Sequence, residues 1–561
     1  MIEFGPYRVD RPRRVAWRGD ELLPIAPKAV EILAALAERA GQVVTKDELL
    51  ARVWPGVFVE EANLSVNVSE LRKALGAQED GRPYIQTVHR RGYRFLGEVR
   101  SAARTGPPVL AVLPFASLDA AGESGALGAG MADAVITRLA RTGRVIVRPI
   151  SAVLKFAGAR DPLAAGRELA ADAVLDGALQ RQRDRLRLSV QLVPLDERLR
   201  PWAAAFDEPY RELLDVEEAI AEKVVAALAL ELTAEERERL RARPTHDLAA
   251  YEAYARGRHF WSRLSAATLQ RAFVAFQEAA ERDPAFAAPH AGIADLFLVS
   301  GFSGLLAPHE AMRLAGESAD RALALDADLP EAHVARAYVR LFASWDFAAA
   351  DADLNRAVAL DPRSAAAHQW LGILHATRGR FADFAAALNR ARALDPTSVL
   401  VASMEAFLAS LLNEPARELA CAQRAVELEP HHFVAHWALG LALLRSGREA
   451  DALAAHRKAL ELAEGAAFMK AVLARTLALA GRKRDAWSLL AWLDGQENAS
   501  PYQLATIHVA LGARARALAH LRTALEVRDP WLVWLRVDPM LAGLRRESAF
   551  RAGVRKVFGP T

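Results

Sequence analysis

Between residues 61 and 75 the chain reads EANLSVNVSELRKAL, and its polar residues are of the kinds that meet base edges and phosphates. Asn63 and Asn67 carry short amides, Ser65 and Ser69 hydroxyls, and Arg72 and Lys73 positive charge. Asn can pair in two places with adenine, while Arg and Lys meet guanine or phosphate. A second cluster follows at His89, Arg90 and Arg91, ahead of Gly92, where a basic hairpin tip suits insertion into a groove or against phosphate. Each group alone has a plainer explanation, because a polar helix face is usually just solvated. A polar helix followed by a basic hairpin, in that order, points to double-stranded DNA.

Leu64, Val68, Leu71 and Leu75 recur at steps of 4, 3 and 4, which predicts a helix from about Glu61 to Leu75 with that stripe buried. Upstream, Pro27 opens APKAVEILAALAERAG, where Val30, Leu33, Leu36 and Ala37 share a face and Gly41 is expected to end the helix. Thr45 caps KDELLARVW, with Glu48 completing a capping box. The runs EFGPYRV, RRVAWR and ELLPI suggest antiparallel strands, and RPYIQTVHRRGYRFLGEV two more, with Tyr93 and Phe95 turned to the core.

The strings LRKALG and PYIQTVHRRGYRF resemble the OmpR/PhoB-type winged helix in its CadC-like and HilA-like branch, over residues 2–99. The resemblance implies a four-stranded entry sheet, three helices and a closing hairpin, the third helix in the major groove and the wing near the minor groove. It places Asn63, Ser65, Asn67, Ser69 and Arg72 toward the groove and Arg90 and Arg91 on the wing. Ser69 and Glu70 stand where response regulators of this type often carry basic residues, so a homodimer on DNA is one route to useful affinity. Residues 1–100 hold 16 Lys and Arg against 14 Asp and Glu, so any steering field has to come from local clustering.

SAARTGPP (101–108) reads as a linker. Residues 109–240 then alternate strand and helix: VLAVLPFASLD, the Gly-rich loop GALGAG (125–130) before the helix GMADAVITRLAR, a helix near DPLAAGRELAADAVLDGAL, the strand RLRLSVQLVPL and the helix DVEEAIAEKVVAAL. This suggests a small α/β layer fold with some parallel strands. AVLPF, GMADAVITRLAR and ADAVLDGAL resemble the TolB amino-terminal-like or FlgO-like domain. GALGAG lacks both G-x-G-x-x-G and the P-loop ending, so a strand-to-helix turn is expected there rather than a nucleotide site.

Residues 247–561 are helical and periodic. Acidic residues close successive helices at Asp326, Asp361, Asp395 and Glu429, at intervals of 35, 34 and 34, and a further 34 reaches Ala463. The period and the Asp-Pro or Glu-Pro breaks resemble the tetratricopeptide-repeat (TPR) family, which implies seven or eight stacked helix pairs sharing one continuous core. Pro284, Pro362, Pro396 and Pro430 are expected to open each next helix. The 43-residue step from Asp283 to Asp326 suggests a longer loop near GFSGLLAP. Trp345, Trp370 and Trp437 are read as core in preference to peptide contacts. Cys421, the single thiol, is read as a small filler between helices.

At 561 residues with 52% hydrophobic and 25% charged residues, the chain is globular and too long for one core. No signal peptide and no run of about 18 uncharged apolar residues is found, which predicts a cytoplasmic protein with no membrane contact. With the winged helix beginning almost at Met1, no receiver domain is expected ahead of it. No catalytic motif emerges, and His431, His432 and His436 lack a second ligand cluster, so no catalytic residues, cofactor or metal are expected.

The fold class is therefore multidomain: an α+β winged helix-turn-helix (1–100), a linker (101–108), a small α/β domain (109–240) and an all-α TPR solenoid with a carboxyl-terminal cap (247–561). The function expected is a DNA-binding transcription regulator whose TPR region senses or docks a protein or peptide. One alternative is a TPR assembly scaffold with the winged helix as a protein-docking module. Another is a small-molecule sensor working through the middle domain.

Overall fold

The structure is a computed structural model that describes residues 2–559 apart from 11–14, 20, 24, 54–60, 79–80, 89–90, 98, 102–106, 119–123, 159–160, 197–198, 262–265 and 497–498. It divides into two units, Met1–Gly106 and Pro107–Thr561.

The first unit runs β1 (Ile2–Phe4), β2 (Tyr7–Asp10), β3 (Val15–Arg18), β4 (Glu21–Leu22), α1 (Pro27–Ala37), β5 (Val43–Thr45), α2 (Lys46–Val53), α3 (Glu61–Leu75), β6 (Ile85–Val88), β7 (Gly92–Phe95) and β8 (Val99–Ser101). One antiparallel sheet has the order β4-β3-β2-β1-β8 and a second the order β5-β7-β6. The entry strands and the hairpin are where the residue pattern put them, whereas β5 and β8 are additional. Leu64, Val68, Leu71 and Leu75 are all buried, as are Ile32, Leu33 and Leu36 of α1, and Phe4 and Phe95 meet edge to face at 4.8 Å. α1 stops at Ala37, before Gly41, which lies in the following turn with φ +79° and donates its N–H to Phe95 O at 2.9 Å.

In the second unit the sheet order is β11-β9-β12-β13-β14, formed by β9 (Val109–Val112), β10 (Ala116–Ser117), β11 (Ile146–Val147), β12 (Ala173–Gln182), β13 (Arg185–Pro194) and β14 (Trp202–Pro209), with β10 pairing to β12. β9 lies parallel to β11 and β12, while β12, β13 and β14 are antiparallel. Its helices are α4 (Ser124–Arg141), α5 (Ile150–Val153), α6 (Pro162–Glu168), α7 (Leu213–Ala227) and α8 (Ala234–Arg241).

Two expectations for this region need correction. GALGAG is not a loop but the body of α4: a Cβ on Gly128 would sit 2.0 Å from Phe115 O, and one on Gly130 would sit 2.5 Å from Ala255 Cβ. These glycines let the helix touch its neighbours, which outweighs their poor helix propensity. The helix expected near DPLAAGRELAADAVLDGAL covers only Pro162–Glu168, and AVLDGALQRQ is a strand held between β9 and β13.

Eight antiparallel helix pairs follow among the described residues: α9 (Leu248–Trp261) with α10 (Ala266–Arg282), α11 (Ala287–Ser303) with α12 (Pro308–Leu325), α13 (Pro330–Val339) with α14 (Phe347–Leu360), α15 (Ala365–Thr377) with α16 (Phe381–Leu394), α17 (Val399–Leu411) with α18 (Pro415–Leu428), α19 (Phe433–Arg445) with α20 (Glu449–Leu462), α21 (Ala467–Leu479) with α22 (Lys483–Asp494), and α23 (Pro501–Ala510) with α24 (Arg514–Val527). Asp326, Asp361, Asp395, Glu429 and Ala463 are the C-caps of the second helices.

Pro284, Pro362, Pro396 and Pro430 do not open the next helices, which begin at Ala287, Ala365, Val399 and Phe433. Each proline instead follows a helix-ending acid and occupies the turn. Asp361 and Glu429 are extended, which a following proline favours, and Asp326 takes the same conformation ahead of Ala327. The long 283–326 step is also not a loop: α11 and α12 have 17 and 18 residues, against 13 and 14 in α15 and α16.

Two features shape the array. The α/β layer is fastened to it: Arg148 Nη1 donates to Leu394 O at 2.6 Å and Ala393 O at 2.9 Å, Ser151 Oγ reaches Asp395 at 3.4 Å, and Arg363 donates to Val145 O. The array also turns back on itself, since α11 touches α21, and the carboxyl-terminal segment fills its inside. Trp531 stacks on Phe468 at 5.0 Å and meets Phe302 at 5.4 Å, Trp534 meets Phe407 at 5.1 Å, and α25 (Ser548–Phe558) brings Phe558 onto Phe347 at 5.1 Å. Trp370 packs between Tyr338 and Phe342. Trp345 takes φ +57° under the Arg528 guanidinium, and Trp437 faces the inner aromatic group.

Candidate nucleic-acid interface

The surface of interest belongs to α3 and the β6–β7 hairpin. α2 precedes it, held by a capping box in which Thr45 N donates to Glu48 Oε2 at 2.8 Å and Glu48 N to Thr45 Oγ1 at 3.2 Å. The Thr45 backbone N–H, then Arg39, holds the Glu48 carboxyl down at about 2. On α3 the stripe facing the core leaves Asn63, Ser65, Val66, Ser69, Glu70 and Lys73 exposed and Asn67 and Arg72 half-buried.

At 100° per residue the expected contact residues separate into sides. Ser65 and Arg72 face the hairpin: Ser65 Oγ lies 3.4 Å from Tyr93 Oη, Arg72 Nε donates to Ile85 O at 3.0 Å, and Arg72 Nη2 donates to Thr87 Oγ1 at 2.7 Å. Asn63 and Asn67 lie on the other side, where Asn67 Nδ2 donates to Asn63 O at 2.7 Å. Ser69 and Lys73 point away from the core between them. Arg91 is exposed in the hairpin turn, its backbone N–H on Val88 O at 3.0 Å. His89 and Arg90 lie outside the described residues. Gly92 is needed where the hairpin crosses β5, because a Cβ there would sit 2.0 Å from Val44 O.

Two features escaped the residue pattern. Val66 is 57% exposed in the middle of the outer face. Its place outside the 4-3-4 stripe was the available signal. Thr87, the anchor for Arg72, gave none.

Residues 19–95 match the family model described as "Transcriptional regulatory protein, C terminal". The amino-terminal unit carries an OmpR/PhoB-type winged-helix DNA-binding domain. That winged helix is similar to part of the transcriptional activator CadC of Escherichia coli (strain K12), 34% identical over 97 residues, 17% of this chain and 19% of that protein. The transcriptional regulator HilA of Salmonella typhimurium is 24% identical over 320 residues, 56% of each chain, a match too long for the winged-helix unit alone. A Rhizobium meliloti (strain 1021) protein bearing the name adenylate cyclase 3 is 28% identical over 244 residues, 42% of this chain and 40% of that protein. The chain thus spans about half the length of these longer relatives.

Among the described residues no helix is long and apolar enough to cross a membrane, and no group of three or more His, Cys, Asp or Glu could hold a metal ion. His432 accepts from Val434 N at 3.2 Å and His436 Nε2 contacts Pro430 O at 2.8 Å.

Proposed function

We propose that the chain is a DNA-binding transcription regulator in which α3 enters the major groove and the wing lies along the backbone toward the minor groove. The observation that carries this is the family match over residues 19–95, which coincides with a helix whose outer face is open and, apart from Val66, polar. Asn63, Asn67 and Val66 read base edges, Ser65 and Ser69 add hydroxyl contacts, and Lys73, His89, Arg90 and Arg91 meet phosphate. Arg72 sets the angle between helix and wing. The unit from 107 onward comprises an α/β layer over 109–240 and a TPR solenoid over 247–561 that docks a protein partner. Its inner face is filled by the chain's own carboxyl-terminal residues, so the docking surface is an outer one. Trp487 and Trp492 of α22, 39% and 41% exposed, support that placement.

The test is selection of genomic fragments by the full chain at two salt concentrations. A shared motif is expected. Lys73→Ala with Arg91→Ala should weaken binding to all sequences and flatten its salt dependence, and Asn63→Ala should relax preference at one base pair by about 1–3 kcal/mol. Recovery of no motif at either salt would leave the assembly scaffold as the better reading.

A further inference from the structure

Between the first helices α17, α19, α21 and α23 and the turns at Pro530–Trp534 and Pro539–Leu544 lies a cavity of about 120 Å³. Its wall is aromatic: Phe407, Trp437, Phe468, Trp531 and Trp534 all line it. A dry apolar cavity of about 150 Å³ takes up benzene, so a single six-membered ring is the largest core this smaller volume can hold.

The floor is different. Arg475, Gln503 and Ser403 also line the cavity and are 6%, 5% and 3% exposed. Arg475 Nε, Gln503 Oε1, Ser403 Oγ and Trp437 Nε1 are buried with no hydrogen-bond partner. The Arg475 guanidinium has one long bond, from Nη1 to Thr506 Oγ1 at 3.4 Å, and feels the Asp538 carboxylate only from beyond ion-pair distance. The two acids at the wall are already engaged. Glu418 is bound by Arg445 at 2.7 Å, and Asp538 accepts from Tyr502 Oη at 2.7 Å and Met540 N at 2.8 Å. An arginine stays charged inside a protein, and a buried charge without a partner is costly.

We propose that this cavity is a binding site for a small aromatic carboxylate, the ring held among the tryptophans and the carboxylate on Arg475. Ser403 Oγ and Trp437 Nε1 supply further donors to the carboxylate, and Gln503 Oε1 offers an acceptor for a ring hydroxyl. The ligand would join the carboxyl-terminal turns to the helices of four successive pairs. The site stands whether or not the winged helix binds DNA.

Calorimetry and thermal scans of the full chain with benzoate and salicylate test this, with benzyl alcohol as the uncharged control. Benzoate or salicylate should bind with a Kd of about 1 mM or tighter and raise Tm, and benzyl alcohol should bind at least about tenfold more weakly. Arg475→Gln should lose about tenfold or more of the carboxylate affinity. Ser403→Leu, which fills the cavity from α17, should abolish binding while leaving the circular dichroism unchanged, and it decides the matter if Arg475→Gln does not fold. No heat and no Tm change up to about 10 mM would overturn the proposal, as would equal affinity for benzyl alcohol or undiminished binding by Ser403→Leu.

Discussion

Arg72 of α3 donates from Nη2 to Thr87 Oγ1 of β6 at 2.7 Å, so one guanidinium joins the helix to the wing. Its Nε donates to Ile85 O on the same strand, and its Cζ lies 6.0 Å from the Tyr93 ring centroid. Arg72→Ala should cost about 1 kcal/mol, allowing for the half-exposed setting, and speed amide exchange along Ile85–Val88. Arg72→Lys should recover less than half of this, because an ammonium cannot serve both acceptors with a planar fork. Unchanged exchange in both variants would show that the hairpin holds its place by packing alone.

Gly128 in α4 accepts the Phe115 N–H at 3.2 Å and leaves no room for a side chain. Gly128→Ala should destabilise the second unit by about 2–3 kcal/mol even though alanine is the better helix former. Urea denaturation followed by tryptophan fluorescence reads the change. A variant as stable as the parent would mean that helix and strand can separate at little cost.

Glu217 of α7 is buried beneath Tyr251 of α9, whose hydroxyl lies 2.6 Å away, with Arg138 and Asp133 of α4 and Arg243 around it. Burial lifts its carboxyl to about 8 from an ordinary 4.5. The folded chain therefore keeps a proton that the unfolded chain releases, so this group's contribution is complete below about 4.5 and is lost as pH rises toward 8. Glu217→Gln should match the parent in Tm at about pH 4.5 and exceed it by several degrees at about pH 9. A parallel pH profile for the two proteins would place the proton elsewhere.

What the amino-acid pattern revealed depends on whether the cause was local. α3 was legible because burial on one side and solvent on the other writes a 4-3-4 stripe, and the helix ends at Asp326, Asp361, Asp395 and Glu429 were legible because each repeat stops alike. β12 was not, since its Ala, Leu and Asp residues carry little strand preference and it is a strand only through its neighbours β9 and β13. The helical state of GALGAG depends on Phe115 and Ala255, the latter more than a hundred residues away. Likewise, nothing near Arg475 foretells Trp531, which reaches the cavity only because the array turns back and its last residues enter it. On α3, residue type marked which side chains could meet DNA, but the commitment of Arg72 to Thr87 required the fold.

The bonds from Arg148 to the end of α16 and from Arg363 to Val145 have a mechanical meaning. A stack of helix pairs behaves as a spring, lengthening or tightening through small rotations at each joint. Here the α/β layer is bolted across two neighbouring coils and the carboxyl-terminal residues brace others, so the spring is held at more than one joint. A twist applied near α22 has a direct route to α11 through α21, and the layer would feel it at the bolts and at α9, where Tyr251 meets Glu217.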